Sequence, residues 1–372
     1  MQGDNTQDIF NFIKSIKSNY PEDVKYDSVV NPFNYDKGLK DIDIKNINKK
    51  GSYVNIEYSK LQYQNIIKFS VDDVIVNLTI YTKDYLATNE LKLIINRIYC
   101  MIKTFKSNIT TNTINIYLYL YNCPRVITET YINSPDDFQG INDNDLFNCT
   151  NGYYRDSDNK ILVTRLNTYK GLLTHELCHL CKLDFGGYSL FEMWDKDKVK
   201  YGEFKFSKFS EGINNAISSL IHSVFVSIEM DEDFDKIYYC EYKYSKDMVG
   251  NLLHYFKCDK INRLKECGYN QDGMVFEYVI LRYVYLEFID KLFHFRFEKE
   301  GKEKEYYLLF IKCLDQIADK EFKFNDKMII KDTNTDINLV RMEYYLFWFF
   351  NNYNKLKSKH QKRKDSKIIL FT

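Results

Sequence analysis

Apolar positions recur along this chain with two different periods. From Ile66 to Tyr81 the run IIKFSVDDVIVNLTIY is β-branched and broken by Asp72-Asp73, which predicts a β-hairpin. ATNELKLIINRIYCMIKTF, Ala87 to Phe105, spaces Leu91, Ile94, Ile95, Ile98 and Ile102 for a helix. INIYLYLY, Ile114 to Tyr121, returns to a strand. GYYRDSDNKILVTR, Gly152 to Arg165, predicts two short strands around an Asp/Ser/Asn turn. Upstream, residues 1–60 combine a short helix with a polar stretch ending in the strand-like YVNIEYS, Tyr53 to Ser59. Downstream, residues 247–258, 273–298, 304–319 and 337–356 carry helical apolar patterns without an internal repeat. All four prolines, Pro21, Pro32, Pro124 and Pro135, precede residue 136, which leaves the C-terminal half free to be mostly helical.

At about 150 residues per domain, 372 residues predict two or three folded units, and 45% apolar content excludes a disordered chain. Lys plus Arg and Asp plus Glu number 52 each, so no net field draws the chain to nucleic acid or to an anionic membrane. The nine cysteines are odd in number and scattered, which predicts free thiols in a reducing compartment. The first 20 residues lack a signal-peptide core, and no run of about 18 uncharged apolar residues occurs. The expectation is a soluble, cytoplasmic protein with no membrane partner. With alanine only at Ala87, Ala216 and Ala318, the composition points to an A+T-rich coding genome, such as that of a large DNA virus or a low-GC bacterium.

The chemistry concentrates in YKGLLTHELCHLCKLD, Tyr169 to Asp184, where His175, Glu176 and His179 form H-E-x-x-H. Two histidines one helical turn apart project from one face and can reach one ion, opposite Leu173, Leu177 and Leu180. Zinc held by three protein ligands keeps an open position for water and lowers its pKa to about 7, and Glu176 is placed to accept the proton. The alternative for these five residues alone is a buried helix with incidental histidines. A second helix, FSEGINNAISSLIHSVF from Phe209, sets Ser210, Glu211, Asn215, Ser218 and His222 as a polar stripe against Ile213, Leu220 and Val224. Glu211 is the expected third ligand. His222 lies about 16 Å further along at about 1.5 Å per residue, too far to share the ion. Asn215 is a candidate to fix a histidine tautomer.

H-E-x-x-H followed on a later helix by Glu-Gly resembles the gluzincin zinc metallopeptidases, with the closest local likeness to collagenase-type enzymes in GYY, KILVTR, HELCH and FSEG. The likeness spans residues 85–230. It implies an α+β fold: a zincin-like catalytic core with a mixed sheet over residues 61–230, then a mostly helical subdomain with a basic tail over 231–372. It also implies zinc bound by His175, His179 and Glu211, Glu176 as general base, an edge strand near Ile161 to Arg165 that pairs with extended substrate, and a protein or peptide substrate cut internally. The position of Asn215 commonly holds an acidic residue in that family. An oxyanion-stabilising Tyr or His is expected from the C-terminal subdomain, with Tyr238, Tyr239, Tyr242, Tyr244, His254 and Tyr269 all candidates.

Other features carry less. Asp136, Asp137, Asn142, Asp143, Asn144 and Asp145 supply oxygen ligands, but without the glycine and terminal glutamate of a calcium loop they read as a solvated turn. Cys178 and Cys181 point away from the histidines and read as small buried hydrophobes. The segment Asp184 to Lys208 reads as a loop. The tail Lys355 to Lys367 is basic without aromatic interleaving, so nucleic acid is not the expected partner. The rival to an enzyme is a structural or binding protein on the same scaffold, with zinc closed off by a fourth ligand such as Cys178.

Overall fold

The computed structural model describes residues 4–33, 60–120, 126–127, 152–164, 169–183, 188–204, 207–271, 274–297, 302–323, 329–331 and 338–341. The segment Tyr53 to Ser59, the acidic segment from Pro135 to Asp145, Arg165, Gly186-Gly187 and the basic tail lie outside the described residues. The chain is α+β and divides into two compact units, Ser15–Asp184 and Met1–Lys14 with Phe185–Thr372. The helix from Phe209 therefore falls in the unit that begins at Phe185, whereas the sequence reading drew its boundary after residue 230.

After helix α1 (Asp4–Asn19), the strands are β1 (Asp27–Pro32), β2 (Tyr63–Val71), β3 (Val74–Thr82), β4 (Thr113–Leu120), the two-residue β5 (Val126–Ile127), β6 (Gly152–Arg155) and β7 (Lys160–Thr164). Six of them form one mixed sheet in the order β1-β2-β3-β4-β7-β6. The β2–β3 hairpin turns at Asp72, which takes a left-handed φ of 51°, with Val71 opposite Val74. Period-two alternation buries Ile67, Phe69 and Val71 on β2 and Val74, Val76, Leu78 and Ile80 on β3. Helix α2 (Thr88–Thr104) connects β3 to the parallel β4, and its Ile94, Ile95, Ile98 and Ile102 are buried as their spacing predicted.

The position of β7 corrects the expected edge strand. β7 lies inside the sheet, parallel to β4 and antiparallel to β6, and all five of its residues are buried. The terminal strand is β6, the GYYR half of the pair. Strand order is set by pairing across the sheet, which the local pattern of the two strands does not encode. The turn between them carries Asn159 at φ 49° and an Arg155–Asp158 ion pair of 2.6 Å. Helix α3 (Tyr169–Leu180) follows and packs on β6, β7 and α2.

The other unit is mostly helical: α4 (Tyr188–Asp197), β8 (Glu203–Phe204), α5 (Phe209–Glu229), α6 (Phe234–Tyr255), β9 (Asn270–Gln271), a π-helical turn (Glu277–Leu281), α7 (Arg282–Glu287), α8 (Ile289–Phe297), α9 (Glu303–Ala318), β10 (Ile329–Lys331) and β11 (Asn338–Arg341). Two expectations fail here. The supposed loop from Asp184 to Lys208 contains α4, because Trp194 anchors it: the indole is fully buried against Tyr201, Phe204, Phe209 and Phe276. Residues 338–341, predicted as helix, form a strand antiparallel to β10, and the rest of that predicted helix lies outside the described residues. Among the described residues no helix is long and apolar enough to cross a membrane.

Helices α3, α5 and α6 share one way of stopping. Lys182, Asp231 and Lys257 take φ near 50°, and the next residue's N–H reaches back five positions, as Leu183 does to Cys178 O at 2.8 Å. Glycine avoids the Cβ strain of this conformation, which costs other residues about 1–2 kcal/mol. Lys257→Gly is therefore expected to stabilise the fold by about 0.5–1 kcal/mol after glycine's entropic cost. Chemical denaturation that finds no gain would refute this account of the cap.

Candidate metal centre

Helix α3 is fixed near both of its ends, at the start to α2 and just past the end to Asn108, which follows α2. At the start, the Tyr169 hydroxyl hydrogen-bonds Glu90, Lys170 pairs with Glu90 at 3.0 Å, and Arg97 donates to Lys170 O at 3.5 Å. Just past the end, Asn108 Nδ2 donates to Cys181 O at 3.0 Å. Leu172, Leu173, Leu177 and Leu180 bury the core side. His175 and Glu176 are each 5% exposed, so an imidazole and a carboxyl are largely withdrawn from water.

The two imidazoles converge. His175 Nε2 and His179 Nε2 are 3.2 Å apart, with ring planes at 77°. Two nitrogens each about 2.05 Å from one tetrahedral ion sit ~3.3 Å apart, so the rings already hold the separation that joint ligation requires. The cysteines behave as expected of packing groups. Cys181 Sγ is fully buried and donates to Met101 O at 3.9 Å, and burial pushes its thiol well up, against the thiolate a metal would need. Cys178 is fully buried in α3.

Helix α5 departs from the expected two-faced pattern, because its residues from Glu211 to Ser227 are all buried. Several serines of this helix, Ser218 of the expected stripe among them, are satisfied locally. Ser218 and Ser219 donate to Asn215 O at 2.9 and 2.8 Å, and Ser223 donates to Ser219 O at 2.8 Å. Serines along a buried helix thus mimic a hydrophilic face.

Glu211, 9% exposed, sits in the first turn of α5 beside the π-helical turn. A Cβ on Gly212 would lie 2.6 Å from Leu281 Cβ and 3.0 Å from Glu277 O. Only glycine lets the turn approach this closely. Asn215 Nδ2 donates to Tyr278 O at 3.2 Å, and the Tyr278 hydroxyl lies 3.4 Å from Glu211 Oε2. His175 and His179 belong to the unit that ends at Asp184, and Glu211 to the unit that begins at Phe185.

Tyr278 was not among the tyrosines singled out from the sequence, and the hydroxyls of three of those donate elsewhere. Tyr238 donates to Leu286 O at 3.1 Å, Tyr242 to Glu287, and Tyr269 to Gln271 Oε1 at 2.6 Å, while the Tyr244 ring lies under Arg282. Comparison with protein-family models, curated proteins and solved structures finds no match to this chain.

Glu277, which opens the π-helical turn, is a second residue the sequence reading passed over. Its fully buried carboxyl accepts from Ser207, from Gln271 Nε2 at 3.0 Å and from Trp194 Nε1 at 3.4 Å. The Gln271 orientation is fixed, since its oxygen already accepts from Phe276 N at 2.8 Å and from Tyr269. Burial pushes the Glu277 carboxyl up to about 7, only partly offset by these donors. A carboxyl raised on folding favours the native state below its unfolded value near 4.5 and loses that contribution as pH climbs through 7. The stability difference between wild type and Glu277→Gln is accordingly expected to shift against wild type between about pH 4.5 and 7. Parallel pH profiles of melting temperature would contradict it.

Proposed function

We propose that the chain is a zinc-dependent metallopeptidase that cuts within extended protein or peptide segments. The observation that carries the reading is the convergence of His175 Nε2 and His179 Nε2, 3.2 Å apart on the helix that bears Glu176; Glu211 is the carboxylate proposed to complete the set. Two imidazoles and one carboxylate are the donor set of open catalytic zinc sites, and the ring separation suits tetrahedral ligation. Zinc bound there supplies Lewis acidity and lowers the pKa of a coordinated water to about 7. Glu176, adjacent to the first ligand and withdrawn from bulk solvent, serves as proton acceptor and returns the proton to the leaving amine. The terminal strand β6 packs against α3, so an extended segment added to that edge would run beside the motif helix.

Glu176→Gln keeps the three ligands and is expected to retain one zinc per chain while lowering the hydrolysis rate of an unstructured protein by about 10²- to 10⁴-fold. Glu211→Ala is expected to lose the zinc, and chelation to stop cleavage in the wild type. Zinc that persists in Glu211→Ala, with no cleavage by any form, would replace the peptidase by a protein that uses zinc for folding alone.

A further inference from the structure

We infer that Tyr278 is a positioning residue for Glu211, held in register by Gly212 and Asn215; the inference rests on the metal reading above. One residue is gripped at both ends by a single helix. Its hydroxyl lies 3.4 Å from Glu211 Oε2, and its carbonyl accepts from Asn215 Nδ2 at 3.2 Å. Glu211 and Asn215 are four apart, hence stacked on one face of α5. Gly212 between them removes the side chain that would hold the turn off.

The consequence is chemical. A carboxylate binds an ion through one oxygen or both and rotates about its last bond. A phenol donating to Oε2 holds that oxygen and turns the other outward, which restricts Glu211 to one-oxygen ligation. The π-helical turn makes this possible, because such turns displace the following side chains relative to a regular helix and recur at functional sites. Glu277, anchored by Ser207, Trp194 and Gln271, fixes the residue immediately before the tyrosine. Asn215 thus serves Tyr278 through its side-chain amide.

The test uses the full-length chain with zinc alone, in competition with a chromophoric chelator, and with cobalt in place of zinc for its absorption spectrum. Tyr278→Phe removes only the hydroxyl. Loss of an outer hydrogen bond to a ligand costs about 10- to 100-fold in metal affinity, and the lower end is expected here. The cobalt bands should shift, while the melting temperature of the metal-free chain stays at the wild-type value. Asn215→Ala should weaken zinc in the same direction, and the double variant should be no worse than Tyr278→Phe, since both act through one hydroxyl. Wild-type zinc affinity and an unchanged cobalt spectrum in Tyr278→Phe would overturn the inference. So would an affinity loss matched by a drop in metal-free melting temperature, which marks a merely structural role. A wild-type chain that holds no zinc, or a Glu211→Ala chain that keeps it, defeats the metal reading and this inference together; the Tyr278→Phe outcome alone leaves that reading standing.

Discussion

The absence of a side chain at Gly212 is the constraint on which the surroundings of Glu211 depend. A Cβ there would stand 2.6 Å from Leu281 Cβ, inside any real carbon contact. With that space free, the turn Glu277–Leu281 lies directly on α5, its backbone bonded to Asn215 and its tyrosine facing the glutamate. The Glu-Gly pair is therefore one device: the first residue presents the carboxylate, and the second admits the element that holds it.

Two kinds of rigidity serve the three candidate ligands. The histidines belong to a short helix fastened by charge and hydrogen bonds to α2 at its first turn and by Asn108 just past its last. Glu211 belongs to a helix buried along almost its whole length, where packing does the fixing and serines satisfy themselves on nearby carbonyls. Neither helix relies on exposed ion pairs, which contribute little. A buried carboxyl at Glu277 costs stability at neutral pH, yet its three donors tie Trp194, Ser207 and Gln271 to the turn that touches Glu211.

Local signals were legible in the sequence and long-range ones were not. The hairpin at Asp72-Asp73, helix α2 and the strand pair around Asn159 followed from apolar period and turn residues. The relation of His175 to His179 was legible because a four-residue spacing fixes it within one helix. The terminal strand was misplaced, since Ile161 to Thr164 looks the same whether it lies at an edge or inside. Helix α4 was hidden because its charged residues outweighed the signal of Trp194, whose partners Phe209 and Phe276 are remote in sequence. Lysine and aspartate at left-handed helix ends also concealed stops that glycine would have announced. Tyr278 is one of 32 tyrosines, distinguished only by where a π-helical turn happens to seat it.

That turn also bears on how such a site is acquired. A π-helical turn holds one more residue than the α-helical turn it replaces, and each residue of an α-helix advances the side chains by about 100°. Deleting a single codon within residues 277–281 would restore a regular helix and swing the neighbouring side chains by that angle, taking the tyrosine off Glu211. No substitution elsewhere in the turn regains the lost register. The register that seats a residue in this place is thus gained or lost by insertion and deletion, and a lineage that drops the extra residue changes the setting of Glu211 while every candidate metal ligand remains in its sequence.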